Sequence, residues 1–341
     1  MSARAVADWL VTEYNDPVKP LATLSLLLSE QQSSKYRNPS TGQVHDVVRA
    51  TAPNVLAAVK NWYERADADA NHRTIFYYCG HGTAQGTDTA LILADFCGQP
   101  MNELDGALDF GKLYAGMERI KASEQVYFVD ACRASTDTLI EAADFAGQVA
   151  LTPKKRDPTL PKRLAALYYA ALAGDLAYGL PGQPSLFTGN LLKSLRGAAS
   201  AQDPAQPGVW KVDTAEMKKA IDYFMNRPIE KGEQVPVQVA SVGELATIFF
   251  HTIPGIPNVP VFVGCDPEAD NATVDFACHR NGVSVDTRPM AQIDPAKPEA
   301  EWEIELPAGD GYMFSATKVG GASKQNGPRP IGPTHGVVVI K

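Results

Sequence analysis

Two residues in this chain have the types and setting for covalent chemistry, His81 and Cys132, 51 residues apart. His81 sits in Tyr78-Cys79-Gly80-His81-Gly82 and Cys132 in Asp130-Ala131-Cys132-Arg133-Ala134. A thiol is mostly protonated at neutral pH, and a nearby imidazole can take its proton or stabilise the thiolate. Gly80 and Gly82 let the backbone take unusual dihedrals and approach a substrate closely. The amides of Gly82 and Cys132 are candidate donors to an oxyanion. Taken singly, a buried Cys at a strand end is a small hydrophobe, and a His between glycines is a turn residue. Together they read as a dyad because of what precedes each.

Each residue follows a strand-length apolar run, Thr74–Cys79 before the first and Gln125–Val129 before the second. Both runs are rich in β-branched and aromatic residues, as in strands buried on both faces of a parallel sheet. The carboxyl ends of neighbouring parallel strands line the ligand crevice of an open sheet. Between them, Asp109 is placed to cap a helix holding Leu113, Met117 and Ile120. That helix completes a β–α–β crossover, expected to be right-handed. Cys79 and Cys97 lack such a context and read as packing residues.

The paired stretches and their spacing resemble the caspase superfamily, over roughly the first 250 residues. The resemblance implies an α/β fold with a mostly parallel sheet flanked by helices. It implies a cysteine endopeptidase acting through a thioester, with Cys132 as nucleophile, His81 handling protons, and a peptide or protein as substrate. True caspases carry Gln two residues before the nucleophile; metacaspases and their bacterial relatives carry Asp. By this likeness Asp130 lines a pocket for Arg or Lys, and Asp175 is a second candidate. A buried carboxylate is costly unless paired, and a guanidinium pairs it in bidentate fashion. Family members are often cut between their two subunits. The basic linker 146–163 offers Lys154, Lys155, Arg156, Lys162 and Arg163 for self-cleavage. The family's domain begins with a strand, whereas this chain opens on a helix over residues 2–15, so that strand is either missing or replaced. No cofactor is expected; some metacaspases need calcium, and although no dense Asp/Glu loop marks a site here, the resemblance leaves calcium activation open. Two other readings of the same residues are a catalytically silent scaffold and an acyl-transfer (transpeptidase) enzyme.

The remaining elements must hold these residues in place. Ser2 is expected to cap the first helix, with Val6, Trp9, Leu10 and Tyr14 on one face. Leu21–Ser29 reads as a strand, 30–50 as an exposed loop, and Thr51-Ala52-Pro53 as a helix start leading to Val55, Val59 and Trp62. Thr83–Asp88 reads as a loop and Ala90–Ala94 as a hairpin arm, with 137–145 partly helical. After the linker come a strand at Leu164–Ala173, helices at Ser185–Leu195 and Thr214–Phe224, and closing segments at Val235–Ala240 and Leu245–Phe250. The peptidase domain is expected to span 1–251, with a large-subunit-like part at 1–150 and a small-subunit-like part at 164–251. Pro254, Pro257 and Pro260 mark a linker. Residues 252–341 alternate in polarity with turn residues at roughly ten-residue spacing, which predicts a small antiparallel β-sandwich.

Composition narrows the class. A net charge of −8 makes nucleic acid an unsuitable partner. No apolar run reaches membrane-spanning length. Asp8 and Glu13 interrupt what would be a signal peptide's apolar core. Five cysteines without framework spacing fit a reducing cytoplasm. Cys265, Cys278 and His279 match no recurring zinc spacing, so no metal is expected there. Nothing in the sequence sets the oligomeric state.

Overall fold

The structure is a computed structural model describing residues 1–30, 34–85, 88–96, 104–134, 147–179, 182–230, 238–318 and 320–341. The chain divides into two compact units, Met1–Leu192 with Asp213–His251, and Lys193–Val212 with Thr252–Lys341. The excursion at 193–212 was not anticipated.

In the first unit, α1 (Ser2–Thr12) buries Val6, Trp9 and Leu10 on one face. It ends before residue 15, and Ser2 does not cap it. The Ser2 hydroxyl instead accepts the amide of Ser185 at 2.9 Å. Leu21–Ser29 forms no ladder; a single parallel bridge joins Leu28 to Arg49. Its leucines lack the β-branched shape that favours a pleated surface, and Leu21 and Leu24 are exposed. A hairpin of β1 (Ser34–Arg37) and β2 (Val44–Val47) replaces the expected loop. Its turn is set by the Asn38 side chain, which accepts the amides of Ser40 and Thr41, and by Gly42 at φ 72°. Next, α2 (Ala52–Ala66) starts at Thr51-Ala52-Pro53 as expected, its first amide donating to the Asp95 carboxylate at 2.9 Å.

The strands β3 (Arg73–Gly80), β4 (Gly82–Gln85), β5 (Asp88–Ile92) and β6 (Ala107–Asp109) lead to α3 (Phe110–Gly116). Asp109 caps α3 by accepting the Lys112 amide at 2.8 Å. Residues 83–85, expected as loop, pair antiparallel with β5. Then come β7 (Glu124–Ala131) and β8 (Leu164–Tyr169). Beyond them, α4 (Leu186–Lys193) precedes β9 (Ser200–Gln202) and β10 (Trp210–Asp213), and α5 (Thr214–Glu230) precedes β11 (Ser241–Leu245) and β12 (Phe249–Ile253). The segment expected to be helical at 137–145, Cys97, and the first half of the closing segment 235–240 lie outside the described residues.

The central sheet has the order β11-β8-β7-β3. The pairs β3–β7 and β7–β8 are parallel and β11–β8 is antiparallel. The fold is therefore α/β and mostly parallel, as expected. Strand β7 is central and buried along nearly its whole length. Strand β3 lies at the edge and is only half-buried, unlike the expectation of burial on both faces. Residues alternate across β7. Tyr127, Val129 and Ala131 face a core filled by Val59 of α2 and by Phe110 and Leu113 of α3. Phe128 faces the other way, stacked on Tyr168 and edge-on to Phe250, which in turn stacks on Trp9 of α1.

Arg73 ties these layers at the start of β3. Its guanidinium donates to Asp16 at 2.9 Å, Tyr14 at 3.0 Å, the Phe250 carbonyl at 2.6 Å and Glu124 at 2.7 Å. Its side chain is 4% exposed and that of Asp16 1%.

The second unit holds two packed sheets. One has the order β16-β13-β19 and the other β15-β14-β17-β18, built from β13 (Asn258–Cys265), β14 (Val274–Arg280), β15 (Val283–Arg288), β16 (Trp302–Pro307), β17 (Gly309–Lys318), β18 (Ser323–Ile331) and β19 (Gly336–Ile340). Val261, Ile304 and Val338 from one sheet and Phe276, Phe314 and Cys278 from the other fill one core. The sandwich is not wholly antiparallel, because β13 pairs parallel with β19. Pro260, expected in a linker, lies in β13 one residue before that parallel ladder begins, where its missing N–H removes no bond to β19.

Arg73→Ala should destabilise the first unit by about 3–5 kcal/mol, because it leaves Asp16 buried without its cation. Urea unfolding of the full chain checks this; a loss under 1 kcal/mol would contradict it.

Candidate active site

The parallel ladder of β3 and β7 runs without a slip from Arg73 opposite Glu124 to Gly80 opposite Ala131. The next residue on each strand is His81 and Cys132. The two strand ends touch beyond the ladder: a Cβ built on Gly82 would lie 2.8 Å from the Cys132 carbonyl oxygen and 2.9 Å from the Ala131 Cβ. A side chain at 82 would push the two ends apart, so the second glycine of the sequence motif is a close-approach residue. His81 is exposed and Cys132 half-buried.

The Cys132 sulfur meets the main chain of Ala177, whose N–H donates to it at 3.3 Å and whose carbonyl lies at 3.6 Å. The following residue is held more firmly. Arg133 donates its amide to the Asp175 carbonyl at 2.9 Å and accepts the Gly174 amide at 3.0 Å. Its guanidinium, 4.1 Å from the Tyr169 ring centroid, stacks on the last residue of β8. Thus Cys132 sits between the His81-Gly82 turn on one side and the 174–177 segment on the other. Asp175 reaches the site through its backbone.

Asp130, one side-chain period before Cys132 on the same face of β7, is 2% exposed. Its Oδ2 accepts the Ser185 hydroxyl, in a very short contact, and the Thr188 hydroxyl at 2.5 Å. Thr188 in turn meets the Tyr77 hydroxyl at 2.6 Å. Burial pushes the Asp130 carboxyl above its ordinary range, while the hydroxyls of Ser185 and Thr188, the Cys79 thiol and the Tyr77 hydroxyl pull it back. Cys79 is therefore not simple packing: it is half-buried and faces this carboxyl. Ser185 also caps α4, accepting the Thr188 amide at 3.2 Å. Asp130 is thus the sealed floor of the region rather than the wall of an open pocket.

The basic stretch is less uniform than its sequence suggests. Arg156 donates to the carbonyls of Pro161 at 2.7 Å, Glu118 at 3.0 Å and Lys121 at 3.2 Å, with a closer contact to Ile120. Arg163 donates to Gln125 at 2.9 Å and stacks on Tyr114 at 4.2 Å. Both serve as structural clamps, contrary to their expected place as exposed cleavage sites. Lys154, Lys155 and Lys162 remain exposed. In the second unit, Cys278 points into the core and His279 lies on the opposite face of β14, while Cys265 ends β13. No group of three metal-ligating residues occurs among the described residues.

Sequence reasoning missed Tyr77, Tyr78, Ser185, Thr188 and Ala177. Ser185 and Thr188 carried one signal, the three-residue spacing of a helix cap; the others carried none.

The chain belongs to a known family. Residues 22–243 match the caspase domain of the C14 peptidases, and the chain is a member of that family. The match starts after α1, so the segment from residue 22 to 29 opens the matched region and α1 lies ahead of it. The chain is similar to the uncharacterized protein y4kE of Sinorhizobium fredii, 25% identical over 91% of this chain and 93% of that one. It is also similar to a probable protease from a Desulfuromonadales bacterium, 26% identical over 59% of this chain and 24% of that protein. Among solved structures, caspase-1 from Spodoptera frugiperda aligns at 12% identity and a TM-score of 0.36, over 58% of this chain and 69% of that one. Protein GSU0716 from Geobacter sulfurreducens aligns at 17% identity and a TM-score of 0.34, over 58% and 75%. The family supports a cysteine peptidase acting on protein substrates.

Gly82→Ala should lower any Cys132-dependent turnover about 100-fold, since a displacement near 1 Å at the reacting groups has that order of effect. Peptide hydrolysis with thermal melting alongside checks it; full activity in a folded variant would contradict the close approach.

Proposed function

We propose that the chain is a cysteine endopeptidase with a Cys132/His81 dyad that cleaves after Arg or Lys. The observation that carries this reading is the shared strand ending, with Gly82 packed on the Cys132 carbonyl. In the reaction, the Cys132 sulfur attacks the substrate carbonyl carbon and its proton passes to His81. The C–N bond then breaks, the amine leaving with the proton from His81. Water, deprotonated by His81, hydrolyses the thioester and restores the thiol. The substrate carbonyl takes the place that Ala177 holds against the sulfur. The amides of Gly82 and Cys132 are the proposed oxyanion donors. In β4 and β5, the Ile92 amide donates to the His81 carbonyl at 2.9 Å. Alternation along an antiparallel ladder then directs the Gly82 N–H away from β5, which suits that role.

The proposed basic specificity rests on Asp130, which a substrate cation reaches only when the Ser185 and Thr188 hydroxyls turn away from it. Its hydroxyl donors can turn when a cation arrives, and a guanidinium then takes their place on a carboxylate already out of water. Asp175, whose carbonyl accepts the Arg133 amide beside the sulfur, is the proposed second acid. The exposed Lys154, Lys155 and Lys162 are the proposed self-cleavage sites.

A panel of fluorogenic peptides ending in Arg, Lys, Asp or Ala before the cut tests this, with Cys132→Ala and Asp130→Asn as comparisons. The expected result is cleavage after Arg and Lys, none by Cys132→Ala, and a loss of about two orders of magnitude in kcat/KM for Asp130→Asn, as for truncating one side of a buried charge pair. Cleavage after Asp, or after none of the four, would overturn the reading. In the same preparations, active enzyme should yield fragments ending at Lys154, Lys155 or Lys162, and Cys132→Ala should stay whole. An intact linker in active enzyme would refute self-cleavage alone.

A further inference from the structure

Tyr78 is a residue to which neither the family match nor the proposed chemistry gives a role. It precedes His81 by three residues and packs half-buried against the core beneath the sheet. Its hydroxyl reaches back over the strand end to two carbonyl oxygens, His81 at 2.7 Å and Ile92 at 2.6 Å. The His81 oxygen also accepts the Ile92 amide at 2.9 Å; the one Tyr78 proton is shared between the two carbonyls, so the hydroxyl bridges the end of β3 to the end of β5. Gly80 makes this possible. A Cβ there would lie 2.7 Å from the Tyr78 hydroxyl and 3.1 Å from its ring carbon Cζ. The first glycine of the Gly-His-Gly motif thus leaves the space in which the tyrosine lies. Burial, and the negative charge a Cys79 thiolate would place nearby, push the Tyr78 hydroxyl well above its ordinary range, which keeps it a donor.

The consequence follows from peptide geometry. The His81 carbonyl and the Gly82 N–H belong to one planar unit, and in a trans peptide they point in opposite directions. The described cis bonds do not include this one. A carbonyl held by the Ile92 amide and by a hydroxyl proton it shares with the Ile92 carbonyl restrains that plane, and with it the direction of the Gly82 N–H and the root of the imidazole. We propose that Tyr78, seated over Gly80, is a positioning residue that aims the His81–Gly82 peptide so that its N–H serves the oxyanion. This rests on the dyad reading above.

Tyr78→Phe removes the hydroxyl and keeps the ring. The expected result is a fall in kcat of roughly tenfold or more with KM within about twofold, because a misdirected donor weakens only the transition state. A peptide aldehyde, which adds to the sulfur and places an oxyanion at the same spot, should lose affinity in parallel. Gly80→Ala displaces the ring and should give the same phenotype. The double variant should be no worse than either single one, since both remove one contact. Thermal melting is read for each. Unchanged kcat and aldehyde affinity in Tyr78→Phe, or multiplying losses in the double variant, would overturn the proposal. The rate of Cys132 alkylation by iodoacetamide, located by peptide mass, separates the two levels. If wild type and His81→Ala alkylate alike across pH, the dyad fails and Tyr78's role falls with it. If they differ and Tyr78→Phe turns over like wild type, only the role of Tyr78 fails.

Discussion

The in-register parallel pairing of β3 and β7 is the constraint from which the site follows. Two strands joined by a helical crossover need not end together. Here they do, because each ladder partner from Arg73–Glu124 to Gly80–Ala131 is kept without a bulge. A slip of one residue would turn every side chain of β3 to the other face. It would also move His81 a full residue, about 3.3 Å, along Cys132. The register is guarded at its start by the Arg73 guanidinium, locked to Asp16, Glu124 and the Phe250 carbonyl. At its end it is guarded by Gly82, where only a missing side chain allows the two backbones to meet. Stability and the proposed chemistry thus meet on the same ladder, at opposite ends.

The second theme is a buried carboxylate held by neutral donors. Asp130 has no cation beside it among the described residues. Hydroxyls from Thr188 of α4 and from its cap Ser185, a tyrosine from β3 and the Cys79 thiol satisfy it instead. Such a network lowers the cost of a buried acid without cancelling its charge. It also joins α1 to the site, because Ser2 accepts the amide of Ser185, the residue that donates to Asp130. A helix outside the family's domain therefore abuts the acid at its floor.

Much of this was legible in the sequence, and the boundary has a physical meaning. The runs Thr74–Cys79 and Gln125–Val129 announced strands because β-branched and aromatic residues fit a pleat. Asp109 announced α3 because a side-chain acceptor three residues before an amide is a local device. The turn at Asn38–Gly42 was equally local and was overlooked, so the hairpin β1–β2 came as a finding. Long-range partners were out of reach. Nothing in Arg156 or Arg163 distinguishes a clamp on carbonyls from a solvated cation until the fold brings Pro161 and Gln125 to them. Ser2 looked like a cap because its hydroxyl had no visible competitor; Ser185, distant in sequence, supplies one. The same holds for β19, whose parallel pairing with β13 no alternation pattern encodes.

The central claim is that one cleft holds the sulfur, the imidazole and the acid. Reaction with a peptidyl chloromethyl ketone ending in Arg, followed by a crystal structure of the adduct, tests it most directly. The account predicts a thioether on Cys132, the His81 ring within hydrogen-bonding distance of the adduct, and the guanidinium on the Asp130 carboxylate. A label on another cysteine, or a guanidinium lying in solvent away from Asp130, would contradict it.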